Sequence, residues 1–241
     1  SVWDNTRGYF DPTVGALVNA YGFGPGNSLE VVTPARRDSL LAFTGLDKVA
    51  LSSDNRILKE DPRLYIDFNA IAKGYTVDVL YDLMRQLGYQ DFLVEIGGEL
   101  RTSGQQLLKK SSWKVAIDHP QQGANRTFLK TLILSDKALA TSGNYRKFSI
   151  DSLTGTRFVH TLNPHTGTAR PSKVLSASVL ADDCMTADAY ATALMAMPIE
   201  YLPEIDQSEF EYFLVLADDN GDYEYLSSPG FKALLNEALQ P

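Results

Sequence analysis

The sequence is poor in several features that quickly assign a protein to a class. It contains one cysteine, Cys184, which excludes an internal disulfide and every metal motif that needs several cysteines. No apolar run approaches the roughly 20 residues that a helix needs to span a bilayer. The formal net charge is -8, which indicates no basic footprint for nucleic acid or anionic membrane. We therefore expect no nucleic-acid partner.

The chain also lacks an initial methionine and begins Ser1-Val2-Trp3-Asp4. This start indicates a processed or truncated product and leaves open a removed export signal or anchor. No fixed-period repeat, low-complexity tract or linker divides the chain. With 241 residues it is long enough to bury most of its apolar surface. We interpret residues 1–241 as one α+β unit.

An alanine-rich helix is predicted from Asp182 to Met195, and it carries two conspicuous polar residues, Asp188 and Thr192. Residues four apart lie on one helix face, about 5–6 Å apart at Cβ. A carboxylate and a hydroxyl so placed are half of a magnesium site, since Mg²⁺ usually takes only one or two protein carboxylates. The alternative is structural: a threonine bonded back to a helix carbonyl, and an aspartate that complements the helix dipole.

The segment before residue 88 predicts a second candidate site. Arg63–Phe68 alternates like a strand, and a long helix is predicted from Ala70 to Gly88. Three polar residues crowd the junction, namely Asp67, Asn69 and Lys73. Free N–H groups at a helix start favour anions, and loop carbonyls can face a cation. The alternative is a capped helix with a solvated lysine.

Other segments predict local structure around these candidates. Asp11 is expected to cap a helix that has Pro12 in its first turn and ends at Ala20. The paired glycines within Phe92–Arg101 predict a bulge or a close backbone approach. The small hydroxyl residues of Ala140–Arg146 predict a turn.

Two hairpins and a last helix are predicted in the second half of the chain. Phe148–Ile150 and Arg157–Leu162 flank a Thr154-Gly155 turn, and His160 lies near the end of that hairpin. Most histidines in such positions are structural, so a catalytic role is the less common interpretation. A second hairpin is predicted around Asn220-Gly221, and Pro229–Leu239 is expected to be a helix.

Five stretches together resemble the ApbE family of FAD:protein FMN transferases, in order and spacing that span nearly the whole chain. They are Phe10-Asp11-Pro12-Thr13-Val14-Gly15, Asp67-Phe68-Asn69-Ala70-Ile71-Ala72-Lys73-Gly74, Glu95-Ile96-Gly97-Gly98-Glu99, Thr141-Ser142-Gly143-Asn144-Tyr145-Arg146 and Ala187-Asp188-Ala189-Tyr190-Ala191-Thr192. The resemblance implies an ApbE-like, T-fold-related α+β fold of mixed sheets with packed helices.

The resemblance also implies roles for individual residues. Asp188 and Thr192 match the family's Mg²⁺ ligands, and Ala70 matches a residue that supplies a main-chain carbonyl to the metal. His160 matches a histidine beside the reacting phosphate. The FAD-contacting positions that the family implies are Tyr9, Phe10, Asp11, Asp67, Lys73 and Leu162.

The implied reaction is Mg²⁺-dependent transfer of FMN from FAD to a threonine hydroxyl, with release of AMP. The implied partner is an acceptor flavoprotein subunit that carries a flavinylation motif containing threonine or serine. Two other activities stay open: Mg²⁺-dependent hydrolysis of FAD to FMN and AMP, and FAD binding without turnover.

The sequence departs from the family pattern in two places. Family members carry a long N-terminal segment before the Phe10-Asp11 motif, including an export signal or a lipoprotein cysteine, and we expect this chain to lack that segment. Family resemblance also leads us to expect a location in the periplasm or otherwise outside the cytoplasmic membrane, with membrane contact only through a removed lipid anchor. Ala191 stands where some relatives place a second carboxylate, so we expect lower metal affinity.

Overall fold

The centre of the fold is a six-stranded antiparallel sheet with a buried helix on one face and a smaller sheet on the other. The computed structural model describes residues 1–25, 32–120, 127–144, 148–150, 157–169, 172–218 and 222–236. The helices in these residues are α1 (Val2–Asn5), α2 (Gly15–Ala20), α3 (Pro34–Leu41), α4 (Ala72–Gln86), α5 (Cys184–Ala196) and α6 (Pro229–Leu234), with 3-10 turns at Leu46–Lys48 and Ile199–Glu204. The strands are β1 (Val49–Leu51), β2 (Ile57–Lys59), β3 (Phe92–Ile96), β4 (Glu99–Ser103), β5 (Trp113–Asp118), β6 (Phe128–Leu134), β7 (Ala138–Gly143), β8 (Phe148–Ile150), β9 (Arg157–Val159), β10 (Val174–Ala181), β11 (Glu211–Ala217), β12 (Tyr223–Ser227) and β13 (Leu235–Asn236).

The large sheet has the strand order β12-β11-β10-β7-β4-β3, and each neighbouring pair is antiparallel. The smaller sheet has the order β13-β6-β5, and β1-β2 and β8-β9 form separate pairs. None of the helices in the described residues is long and apolar enough to span a membrane.

Strand β10 shows why the large sheet is covered on both faces. Ala177 and Val179 pack in the core that includes α5, whereas Leu180 packs in the core that includes β5 and β6. Successive side chains of a strand point to opposite faces, so a strand that is buried at nearly every position needs a cover on each side. Helix α5 is apolar nearly all round, which suits its place against this sheet.

The start of α5 is held by carboxylates from two places in the chain. Its own cap, Asp183, accepts a hydrogen bond from the Thr186 amide at 2.8 Å. Asp78 of α4 accepts from the amides of Cys184 at 2.9 Å and Met185 at 2.8 Å. These bonds satisfy donors that a helix start leaves free, and they bind α4 to α5.

Several predicted elements are confirmed. They are α4, α5 and the strands flanking both hairpins. The turns at Thr154-Gly155 and Asn220-Gly221 lie outside the described residues, as do Tyr145 and Arg146.

Two predictions for the N-terminal half of the chain are wrong. The helix predicted behind Asp11 begins only at Gly15, because the Asp11 carboxylate instead accepts from the Thr13 amide at 2.8 Å and the Leu46 amide at 3.2 Å. Arg63–Phe68 is not a strand: its Tyr65 makes an isolated parallel bridge to Val14. The segment runs beside a loop, so it has no neighbouring strand with which to form a ladder within the described residues.

Three further predictions are corrected. Gly97 and Gly98 form a two-residue hairpin turn between β3 and β4, with φ of +63° and +108°, which favours glycine at both positions. Residues 140–143 belong to strand β7, because pairing with β10 overrides the turn preference of small hydroxyl residues. Helix α6 ends at Leu234 since the next two residues pair with β6.

Candidate active site

Ten residues selected from the sequence line one cavity of about 630 Å³. The cavity lies where the loop at residues 9–14, the start of α4, strand β7, the segment at residues 160–164 and helix α5 come together. Its size is within the range of small-molecule sites in proteins. The ten residues are Tyr9, Phe10, Asp11, Asp67, Ala70, Lys73, His160, Leu162, Asp188 and Thr192.

Asp188 is a buried carboxylate, 3% exposed, and it accepts a hydrogen bond from the Gly74 amide at 3.1 Å. Burial raises the pKa of Asp188 to about 7, and the negative charge of Glu99 adds to that effect. The Gly74 amide and the Lys73 ammonium act in the opposite direction on this pKa. Asp188 is not in the first turn of α5, so it is not placed as a partner of the helix dipole.

Thr192 lies one helical turn beyond Asp188 and is half-buried at the cavity wall. Its hydroxyl is 3.5 Å from the Ser142 hydroxyl of β7. Among the described residues, no carbonyl of its own helix accepts a bond from this hydroxyl, in contrast to Thr76, which bonds back to the Ala72 carbonyl at 2.7 Å. The Thr192 hydroxyl is therefore directed to the cavity side of α5.

The carbonyl of Ala70 lies just before the start of α4. In a regular α-helix the amide of residue 74 would bond to the carbonyl of residue 70. Here that amide donates to Asp188, and the first bond of α4 joins the Tyr75 amide to the Ile71 carbonyl at 2.9 Å. Ala70 precedes the N-cap of α4, its carbonyl accepts no helix hydrogen bond in the described residues, and Ala70 lines the same cavity as Asp188 and Thr192.

Lys73 brings positive charge to the cavity and forms an ion pair with Glu99. The Lys73 side chain is 47% exposed, whereas the Glu99 side chain is 2% exposed. Sequence reasoning quoted Glu99 beside the paired glycines but assigned it no role. The position of Glu99 at the start of a strand did not indicate that its side chain is buried. The one sequence feature that indicated a role was a carboxylate next to a pair of glycines.

The loop at residues 9–14 forms another part of the cavity wall, and its Phe10 packs against Ala189 and Ala193 of α5. Both oxygens of Asp11 are engaged, one by Thr13 and the other by the Leu46 amide and the Trp3 indole, each at 3.2 Å. Asp11 therefore shapes this loop. The Tyr9 ring meets the His165 ring edge to face, with centroids 4.5 Å apart.

Three more residues complete the lining. The Asp67 carboxylate accepts from the Asn69 amide at 2.8 Å, and its own amide donates to the Pro12 carbonyl at 2.7 Å, so it joins the two loops. His160 follows β9, is half-buried, and lies edge to face with Phe23 at 6.5 Å. Leu162 is buried in an apolar cluster and supplies part of the wall.

A metal at this place would have an oxygen-rich set of ligands. The described residues contain no group of three His, Cys, Asp or Glu side chains that could hold a metal ion. One carboxylate, one hydroxyl and one carbonyl suit Mg²⁺, which takes its other positions from water and phosphate oxygens. Ala191, a residue of α5, is fully buried in the apolar core and does not line the cavity.

Comparison with known proteins identifies relatives of the chain in sequence and in fold. The chain is 36% identical over 236 residues to the FAD:protein FMN transferase of Vibrio cholerae, and the aligned region covers 96% of this chain and 68% of that protein. It is 34% identical over 234 residues to that of Haemophilus influenzae, covering 95% and 66%. Its fold matches the flavin transferase ApbE from Vibrio cholerae with a TM-score of 0.83 at 33% identity, covering 97% of this chain and 73% of that one.

The fold is therefore the fold of the flavin transferases. Residues 1–214 also match the model of the ApbE family. The chain belongs to the ApbE family. It spans about two thirds of the length of the curated relatives it matches.

Proposed function

We propose that this protein is a Mg²⁺-dependent FAD:protein FMN transferase. Its substrate is FAD, its product is FMN joined by a phosphoester to a threonine hydroxyl of an acceptor flavoprotein, and AMP is released. One observation carries the proposal: the Gly74–Asp188 bond holds a buried carboxylate at the start of α4, on a cavity that Ala70, Thr192 and Lys73 also line. Its family relatives are named FAD:protein FMN transferase, which supports transfer of FMN from FAD to a protein.

The residues present fit Mg²⁺. Asp188, Thr192 and Ala70 offer three oxygen donors, and burial makes the Asp188 carboxylate costly to keep charged without a cation. When bound, Mg²⁺ supplies charge neutralisation and orientation for diphosphate oxygens. Lys73 adds a second positive group to the cavity lining. The protein is acidic overall, so these local charges account for its attraction of a diphosphate.

The remaining lining residues hold the substrate and move a proton. Tyr9, Phe10 and Leu162 offer aromatic and aliphatic surface to the FAD. A ring nitrogen of His160 accepts the proton of the attacking threonine hydroxyl. The threonine oxygen forms a bond to the FMN-side phosphorus, and the bond from that phosphorus to the AMP oxygen breaks. AMP leaves with the electron pair of the broken bond.

The partner and the location belong to the same proposal. The acceptor is a flavoprotein subunit with a threonine or serine in a flavinylation motif, which reaches the cavity as an exposed segment. The protein acts in the periplasm or otherwise outside the cytoplasmic membrane. Location rests on family resemblance alone, and fractionation of cells that express the full-length gene tests it.

The test is incubation of the protein with FAD, MgCl₂ and a candidate acceptor. AMP is measured by chromatography and the acceptor by mass spectrometry. We expect AMP together with an acceptor that gains one phosphoester-linked FMN. If AMP forms but the acceptor is not modified, the activity is FAD hydrolysis and not transfer. If neither AMP nor a modified acceptor forms, the protein is an FAD-binding module without turnover.

The metal assignment is tested in the same assay by Asp188→Ala, which should abolish turnover because it removes the buried carboxylate of the site. Thr192→Ala should be milder and partly rescued by added Mg²⁺, since a neutral hydroxyl contributes less than a charge. Asp182→Ala is the matched control: it removes an exposed carboxylate just before the same helix and should retain activity. Full activity of Asp188→Ala in chelator-washed buffer would refute the assignment.

A further inference from the structure

Glu99 is a buried carboxylate behind the cavity residue Lys73, and only one of its two oxygens is paired. Glu99 is 1% exposed, and its Oε1 atom forms the ion pair with Lys73. Oε2 is buried and has no hydrogen-bond partner within the part of the chain that the structure describes. An unpaired buried carboxylate oxygen is costly, so its retention calls for a compensating role.

The hairpin turn at Gly97 lies against this ion pair. A Cβ added at Gly97 would lie 3.7 Å from the Lys73 Cδ atom and 3.8 Å from the Glu99 Oε2 atom. The turn therefore lies within van der Waals distance of both partners. Lys73 emerges from under the turn, and its half-exposed side chain lines the cavity.

Glu99 also lies near the proposed metal ligand, because its partner Lys73 adjoins Gly74, whose amide donates to Asp188 at 3.1 Å. After burial, Glu99 is the largest cause of the raised pKa of Asp188. Glu99 therefore lies close enough to act electrostatically on two residues. One is Asp188, the proposed ligand of the cation, and the other is Lys73, the proposed partner of the anionic diphosphate. It does not itself line the cavity.

We propose that Glu99 is a positioning residue that sets the charge balance of the site, partly neutralising Lys73 and strengthening the attraction of Asp188 for a divalent cation. This inference rests on the proposed function for the identity of the ligands, Mg²⁺ and a diphosphate. Its effects on the two ligands have opposite signs. A negative charge favours the cation, and by partly neutralising Lys73 it weakens the binding of a free anion.

Glu99→Gln tests the inference because it removes the charge and keeps the size. Calorimetric titration of the ligand-free protein with MgCl₂ should show binding weaker by roughly tenfold, as expected for loss of one buried charge near a divalent ion. Titration with ADP in chelator should show tighter binding, by about threefold to tenfold, since Lys73 is no longer neutralised.

Glu95→Gln is the matched control. Glu95 is an exposed carboxylate on the same hairpin, so its replacement makes the same change of net charge without the buried partner. Both titrations should remain within about twofold of wild type, since an exposed charge is screened by solvent.

The outcomes separate this inference from the proposed function. If wild type binds both ligands and Glu99→Gln matches it, the positioning role is wrong. If Glu99→Gln weakens both ligands together, Glu99 is only structural and the inference is overturned. Failure of wild type to bind either Mg²⁺ or ADP would instead overturn the proposed function.

Lys73→Gln keeps the test decisive if Glu99→Gln does not fold. Removing the ammonium should change both affinities in the direction opposite to Glu99→Gln. Mg²⁺ should bind more tightly because Glu99 is left without its counter-charge, and ADP should bind more weakly because the positive charge is lost. Unchanged Mg²⁺ affinity in Lys73→Gln would show that the charge of Glu99 does not reach the cation site.

Discussion

Asp188 of α5 accepts a hydrogen bond from the amide of Gly74 at the start of α4, across 114 positions of sequence. The approach requires a glycine: a Cβ at residue 74 would lie 2.4 Å from the Cys184 carbonyl oxygen and 2.8 Å from the Met185 Cα atom. Both atoms belong to backbone and cannot move aside cheaply. The close crossing of the two helices therefore brings Asp188 to the start of α4, where Ala70 and Lys73 line the same cavity.

Gly74→Ala should destabilise the fold by about 1–3 kcal/mol, the usual effect of overpacking. The sign is diagnostic, because glycine to alanine inside a helix normally stabilises by roughly 1 kcal/mol. Urea unfolding measures the change. Thr76→Ala, at an exposed position of the same helix, should stay within about 0.5 kcal/mol of wild type. A Gly74→Ala variant as stable as wild type would contradict the close packing.

The stability of the metal-free protein should depend on pH through Asp188. The pKa of Asp188 is raised from 3.8 to about 7, so the folded state binds this proton more tightly than the unfolded chain. Its stabilising contribution is fully present below pH 3.8 and is lost as the pH rises through about 7. The stability of wild type minus that of Asp188→Asn should therefore fall between those pH values, measured by denaturant unfolding in chelator.

Asp182→Asn is the control for that measurement, because its expected pH dependence has the opposite sign. The Lys137 ammonium lowers the pKa of Asp182, so any contribution of that exposed pair is lost as the pH falls. Saturating Mg²⁺ should remove most of the loss in wild type above pH 7. A pH-independent difference between wild type and Asp188→Asn would refute the buried carboxylate.

The parts of the site that depend on local sequence could be predicted. Asp188 and Thr192 are four residues apart in an apolar helix, and helical spacing alone places them on one face. The contacts of Gly74 with Asp188 and of Lys73 with Glu99 join distant segments, so periodicity carries no information about them. Family resemblance supplied the segments, and only the fold shows which atoms meet.

The wrong predictions have a common physical cause, which is that local preference does not reveal the neighbours of a segment. Arg63–Phe68 alternates as a strand does, yet it lies beside a loop that offers an isolated bridge. Residues 140–143 have turn preferences, yet β10 pairs with them and α5 covers them. The paired glycines indicated an irregular backbone, and the choice between a bulge and a turn depended on how β3 and β4 pair.

FAD should bind more tightly than FMN, by about tenfold or more, which corresponds to about 1.4 kcal/mol. The physical reason is that Lys73 and the junction at Asp67 are assigned to a dinucleotide, whose second phosphate and adenosine FMN lacks. Fluorescence titration in Mg²⁺ gives both dissociation constants. Lys73→Gln should narrow the difference, and ADP should compete with FAD while riboflavin should compete poorly. Equal constants for FAD and FMN would contradict the assignment.

The last prediction concerns His160, for which structural and catalytic roles have different consequences. If His160 accepts the hydroxyl proton, His160→Asn should keep the fold and FAD binding, because asparagine retains polar hydrogen bonding. The single-turnover rate of AMP release should nevertheless fall by about 10²–10⁴-fold, the usual contribution of a general base. The wild-type rate should also rise with pH through the titration of the histidine, with Mg²⁺ saturating throughout, and the variant should lose that dependence.

A structural histidine would give a different pattern. Loss of a partly buried polar contact would lower the melting temperature and weaken binding and turnover together. His165→Asn is a suitable control, since this exposed histidine contacts Tyr9 from outside the cavity lining and should retain the pH profile. An unchanged rate and pH profile in His160→Asn would remove His160 from the mechanism. Catalysis would then depend on positioning of the acceptor and on charge at Asp188 and Lys73.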